Sequence, residues 1–131
     1  TVGSTDSFGM PENYLKWTAT CHHNHNLLEN GQKFVELFKA QYLYMMYVWG
    51  HSFEFTRDNN WELIEEFCQL VGNREDIWYA TNIEIVDYMK AAKNLKFTID
   101  ADKVYNPGFD SVWINVDGMI VEVPGGKTVN I

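Results

Sequence analysis

"YLYMMYVWGHSFEF", residues 42–55, runs apolar from Tyr42 to Trp49 and then delivers Gly50, His51 and, three residues further on, Glu54. An apolar run that does not alternate with polar residues predicts a strand buried on both faces, Tyr42 to Trp49, as parallel sheets require. Its neighbours fit that sheet. Upstream, Asn26 with Glu29 has the spacing of a capping box, and Leu27, Phe34, Val35 and Phe38 recur at helical spacing, which predicts a helix from about residue 27 to about 41. Before it, Tyr14 to Thr20 carries β-formers and reads as a strand that ends in the loop "CHHNHN", residues 21–26.

Downstream, Asn59 with Glu62 repeats the capping-box spacing. Trp61, Ile64, Phe67, Cys68 and Val71 form an apolar stripe, Glu62, Glu65 and Glu66 take the other side, and Gly72 ends the helix. Ile77 to Ala80 reads as a short strand, and Thr81 with Glu84 opens a third helix to about Ala92. Strand and helix in alternation imply crossover connections and a parallel sheet, open or curled into part of a barrel. From Lys96 the pattern changes. "KFTID", "SVWINV" and "MIVEV" are separated by turn residues at Asn106 to Gly108, Asp117-Gly118 and Pro124 to Gly126, and they read as antiparallel strands. The expected fold class is therefore α/β, with a parallel portion over residues 1–92 and a small antiparallel β-rich appendage over 93–131.

A chain of 131 residues has room for one domain with a true core. No stretch approaches the roughly 20 unbroken apolar residues of a membrane span, so no membrane partner is expected. A formal charge of -8, with ten Lys and Arg scattered singly, repels phosphate backbones and removes nucleic acid from the expected partners. Cys21 and Cys68 allow one bridge at most, and free thiols are the expectation, which leans towards a reducing, cytoplasmic compartment. The chain begins at Thr1 without a basic or apolar leader, the expectation being a processed chain or a piece of a longer one.

In parallel α/β sheets ligands lie at the carboxyl ends of the strands, and two polar clusters fall there, Cys21 to His25 and Gly50 to Glu54. Three imidazoles in four residues invite a metal reading, in which His22 and His25 share a face, but the spacing matches no zinc signature. The other reading is hydrogen bonding to a polar ligand. Cys21 is either a nucleophile activated by His22 or His23, or a buried inert thiol. His51 follows Gly50, which lets another group come close to the backbone. An imidazole there can give a proton to a leaving group, or it can simply close a strand. Glu54, Arg57 and Asp58 either orient it or are solvated loop charges. Trp17, Trp49, Phe53 and Trp61 can stack on a sugar ring or serve as core.

"YVWGHSFEF" followed by "NNWELIEEFCQLVGNREDIWYATNIEIVDYM" resembles the last part of polysaccharide deacetylases with the NodB-homology fold, and "WTATCHHN" resembles the strand and loop before it in one branch of that family. The resemblance covers residues 1 to about 92. It implies the C-terminal part of an irregular (β/α) barrel, and a metal-dependent hydrolase that removes acetyl groups from N-acetylated saccharides. His51 matches the histidine that protonates the departing amine, and Trp17, His22, His23, Asn24, Trp49, Phe53 and Glu54 are the expected substrate-binding residues. The divalent metal, zinc or similar, is implied for the complete enzyme. The family's Thr-Phe-Asp-Asp and His-x-x-x-His motifs do not occur here, so no metal ligand is expected in this chain. Ser52 stands where the family usually has Asp after its His, so His51 is expected to be tuned by other neighbours, among them His22, His23 or Glu54. A partial barrel leaves a strand edge open. The expectation is that a missing N-terminal segment, a second copy or a neighbouring molecule covers the edge of Tyr14 to Thr20. The alternative function is a non-catalytic carbohydrate-binding or assembly module.

Overall fold

The computed structural model describes residues 3–38 and 42–131. These carry four helices and seven short strands in two units, Thr1–Trp78 and Tyr79–Ile131. The fold is mixed α/β, and no barrel closes among the described residues. None of their helices is long and apolar enough to cross a membrane.

In the first unit β1 (Cys21–His22) pairs in parallel with β2 (Val48–Trp49), with Cys21 opposite Val48 and His22 opposite Trp49. Backbone bonds lengthen this pairing, since Thr20 N–H donates to the Tyr47 carbonyl at 2.7 Å and His23 N–H to that of Trp49 at 3.0 Å. The opposite edge is filled by the chain itself. Ser4 bridges Ala19 in parallel, while Thr5 and Asp6 donate to the carbonyls of Ala19 and Thr20 at 3.1 and 2.9 Å. Ala19, Thr20 and Cys21 are in consequence fully buried. Of the edge expected to be covered from elsewhere, Ala19 and Thr20 are paired by residues 3–6 of the chain itself.

The strand expected over Tyr14 to Thr20 forms instead at Cys21–His22, inside the stretch read as its loop, and within the expected span only Ala19 is bridged. Asn13 accepts the N–H groups of Leu15 and Lys16, through its side chain and its carbonyl, which closes a turn and leaves Leu15 in solvent. The apolar run from Tyr42 likewise becomes strand only at Val48–Trp49. Tyr42 and Leu43 are exposed and only Met45 is buried, its N–H donating to the Phe8 carbonyl at 2.7 Å. The partner segment offers ladder positions only from Ala19 to His23, so the upstream half of the run has no strand to pair with.

Helix α1 (Leu27–Glu36) starts where expected but by other means. Asn26 is left-handed, at φ 51° and ψ 32°, whereas an N-cap needs extended backbone; Glu29 pairs with Lys33 at 2.7 Å instead of closing a box. The helix ends at Glu36, short of the expected residue 41; residues 39–41 lie outside the described ones. A helix not anticipated, α2 (Ser52–Asp58), follows β2. Asn59 at φ 49° ends α2 and so does not cap α3 (Trp61–Val71), whose N-cap is Asn60. Helices α1 and α3 pack together across Gly31, where a Cβ would stand 3.0 Å from Leu70 and 3.1 Å from Phe67. Residues 77–80 are irregular, not a strand, with Trp78 and Tyr79 largely exposed.

The second unit opens with α4 (Asn82–Lys93), and here the capping box forms. Glu84 accepts the Thr81 N–H at 2.6 Å, and Thr81 Oγ1 accepts the Glu84 N–H at 3.5 Å. Antiparallel strands follow: β3 (Lys96–Phe97), β5 (Val112–Val116) and β6 (Met119–Val123) lie in the three expected segments, and β4 (Lys103–Tyr105) and β7 (Thr128–Asn130) are additional. They form a three-stranded sheet in the order β3-β4-β7 and a β5-β6 hairpin. Asp117 and Gly118, both at positive φ (50° and 88°), make the primed turn that the Asp-Gly pair announces. Leu95, Val104, Val112 and Val123 form the core, covered by Tyr88, Ala91 and Ala92 of α4.

Asn106, at 0% exposure, ties this core together. Its amide donates to the carbonyls of Asp110 and Val123 at 2.8 and 2.9 Å, and its side-chain oxygen accepts the Gly108 N–H at 2.9 Å. Asn106→Ala strands a buried carbonyl of Val123 and lowers stability by about 2–3 kcal/mol, measured by urea unfolding. At α4 the Thr81 hydroxyl, then its N–H, hold the Glu84 carboxyl below its ordinary range. That contribution is complete above pH 4.5 and is lost as pH falls through the lowered value. Glu84→Gln therefore loses less stability than the wild type between neutral and acid pH.

Candidate functional site

Parallel strands that end side by side place their following residues together. The register of His22 with Trp49 sets His23 beside Gly50. Gly50 lies at φ +152°, and a Cβ there would fall on the His23 ring, so the glycine is what admits the imidazole. The group that comes close to this backbone is therefore His23. Phe55 stacks on its other face, 4.3 Å between centroids and 29° between planes. His23 is 2% exposed.

His22 lies 4.2 Å from His23 by ring centroids and meets Trp49 edge-on at 4.6 Å. Its Nδ1 accepts the Asn24 N–H at 3.2 Å, so the neutral ring carries its proton on Nε2. That nitrogen faces Glu54 Oε2 at 3.2 Å. Asn24 also donates to Asp58 at 2.9 Å and accepts from Asn60 at 3.0 Å, fixing the loop against the end of α2.

Glu54 reaches this position because it occupies the third residue of α2. His51 is the extended N-cap, at φ -122° and ψ 136°, and its N–H donates to Glu54 Oε2 at 2.9 Å. The same oxygen stands 3.7 Å from His23 Nε2, and Oε1 is 3.5 Å from Arg57. The His51 N–H, more than the nearby His22, His23 and Arg57, holds the Glu54 carboxyl below its usual range, against the opposing effect of partial desolvation. Burial, then the neighbouring His22, pushes His23 below the ordinary imidazole value, while Glu54 and a bond to the Trp49 backbone pull the other way. Among the described residues His23 Nε2 has no hydrogen-bond partner, and it points towards the Glu54 carboxylate.

The sequence candidates divide in two. His22, His23, Asn24, Trp49 and Glu54 come together, and Trp49 also donates from its indole to Ser4 Oγ at 3.0 Å. His51 is exposed and stacks on the exposed Phe53, 5.4 Å between centroids and 16° between planes; Glu54 holds its backbone, not its ring. Trp17 is buried, its indole donating to the Tyr14 carbonyl at 2.7 Å and its ring edge-on to Tyr47. Cys21 is buried and unbridged, as Cys68 is unbridged at the surface. Burial raises the Cys21 thiol above its ordinary value, which favours the inert reading over the nucleophile.

For the metal reading, the residues gathered are His22, His23 and Glu54, whose ligand atoms lie within 4.8 Å of one another. His25 is exposed, its ring 5.6 Å from that of His22. Phe55, Asn60 and the convergence of Glu54 on two imidazoles were not legible in the sequence. One signal was present, the N-cap and third-residue spacing of His51 and Glu54, hidden because histidine is not a favoured cap.

Gly50→Ala forces both a strained backbone and a collision with His23. It lowers stability by about 1–3 kcal/mol in urea unfolding and shifts the His23 ring resonances in NMR. Comparison with family models, with curated proteins and with solved structures finds no match.

Proposed function

We propose that this chain is the C-terminal portion of a polysaccharide deacetylase that hydrolyses the acetamide of N-acetylated sugars. In this reading β1 and β2 are neighbouring parallel strands of an irregular (β/α) barrel whose remaining strands belong to other polypeptide. The supporting observation is the register that sets His22 opposite Trp49, for it brings the two polar loops to one end of a parallel pair, where α/β sheets bind ligands. The resemblance of the segments around these loops to the deacetylases supplies the reaction.

The residues of this chain then have separable duties. His51, exposed beside Phe53, delivers a proton to the departing amine nitrogen as the carbon–nitrogen bond breaks. Phe53 and the half-exposed Trp49 offer flat apolar faces for a sugar ring. Glu54 fixes the backbone from which His51 projects, through the 2.9 Å bond to its N–H. The family's metal ligands, an Asp and a His-x-x-x-His pair, do not occur in the sequence. The residues present do not fit that metal site.

The test joins this chain to a deacetylase segment bearing the absent motifs and measures acetate release from N-acetylglucosamine oligomers. Acetate is released, and His51→Ala lowers kcat by about 10²–10⁴-fold without altering the circular dichroism spectrum. Binding of the oligomers with no acetate released, and with His51→Ala silent, leaves a carbohydrate-binding module in place of the enzyme.

A further inference from the structure

We infer that His22, His23 and Glu54 form a binding site for a zinc-like divalent cation, distinct from any ligand set carried by the deacetylase motifs. The site stands on the geometry of this chain and does not require the deacetylase reading.

Two independent observations point to a ligand. The first is convergence. Ligand atoms around a tetrahedral zinc, at metal distances of about 2.0–2.1 Å, stand roughly 3.3 Å from one another. His22 Nε2 and His23 Nε2 lie 3.2 and 3.7 Å from Glu54 Oε2, on either side of that spacing. The shorter distance is equally a hydrogen bond; the longer one is not.

The second is the orphaned nitrogen. His23 is 2% exposed, and its Nε2 is buried without a hydrogen-bond partner among the described residues. A buried polar atom left bare is costly, and in a native protein it asks for an explanation. An imidazole that binds a metal does so through one ring nitrogen while the protein holds the rest of the ring, and here Nε2 is the nitrogen turned towards Glu54. It faces the carboxylate oxygen at 3.7 Å, too far for a hydrogen bond between them. A cation there satisfies both.

The donor set selects the class of ion. Two imidazoles and one carboxylate suit zinc and its first-row neighbours better than calcium or magnesium, which take oxygen ligands. His22 joins the set by moving its ring proton from Nε2 to Nδ1, and it gives up the 3.2 Å bond from the Asn24 N–H. Gly50 and Phe55 hold the His23 ring on its two sides, so the pair His23 and Glu54 is preformed.

The experiment titrates the intact chain with Zn²⁺ in competition with a chromophoric chelator, and with Co²⁺ while recording its visible absorption. A single saturable equivalent is expected, with Co²⁺ bands of four-coordinate intensity. Glu54→Gln retains an oxygen for the His51 N–H, so it keeps the start of α2 while weakening Zn²⁺ binding by more than about tenfold. His25→Ala leaves binding unchanged. The inference is overturned by any of three results: no saturable binding, Glu54→Gln binding as tightly as the wild type, or loss of binding in His25→Ala.

Discussion

Thr20 holds the first unit together. Its N–H donates to the Tyr47 carbonyl and its own carbonyl accepts from Asp6; its hydroxyl donates to the Ser7 carbonyl at 3.0 Å and accepts the Tyr47 N–H at 3.1 Å. One residue, 1% exposed, thus joins three segments of chain. Since these bonds set the register of β1 on β2, the neighbourhood of His23, Gly50 and Glu54 follows from them. An alanine at this position would leave buried backbone and carbonyl groups short of partners, which is why a small polar side chain sits at the centre of an otherwise apolar layer.

Glu54 has a comparable place in the site. A single carboxylate ends the backbone of β2's following loop, begins α2 and faces two imidazoles. Local helix geometry and site geometry are therefore coupled, because the third position of a helix is held within a narrow range relative to its N-cap. Phe55 and Gly50 pack against the two sides of the His23 ring and leave it 2% exposed, so charge there is poorly screened.

The parts of the fold legible in the sequence were those encoded locally. The Thr81 and Glu84 box, the Asp117-Gly118 hairpin and the antiparallel character of the tail all depend on residues a few positions apart. Helix α3 was visible through its stripe from Trp61 to Val71. Failures arose where a distant partner decided the outcome. Tyr42 to Met46 looks like buried strand, but only residues facing Ala19 to His23 acquire a ladder. Asn26 and Asn59 resemble caps, yet both adopt left-handed backbone, a conformation asparagine tolerates better than most residues. Of the site, the two polar loops and the clearance at Gly50 could be read. The choice of His23 over His25, and the role of Glu54 towards it, could not, for they depend on strand pairing across the intervening helix α1.

The bonds made by Thr20 link residues 13 and 27 positions apart, whereas β5 and β6 are joined by two residues. A hairpin of that kind closes in about 1–10 μs, while parallel pairing waits for long loops to close before any contact rewards it. The two units therefore mature at different speeds. The parallel pairing that sets His23 beside Gly50 closes more slowly than the hairpin, and while it is open, Val48 and Trp49 present unpaired strand to other chains.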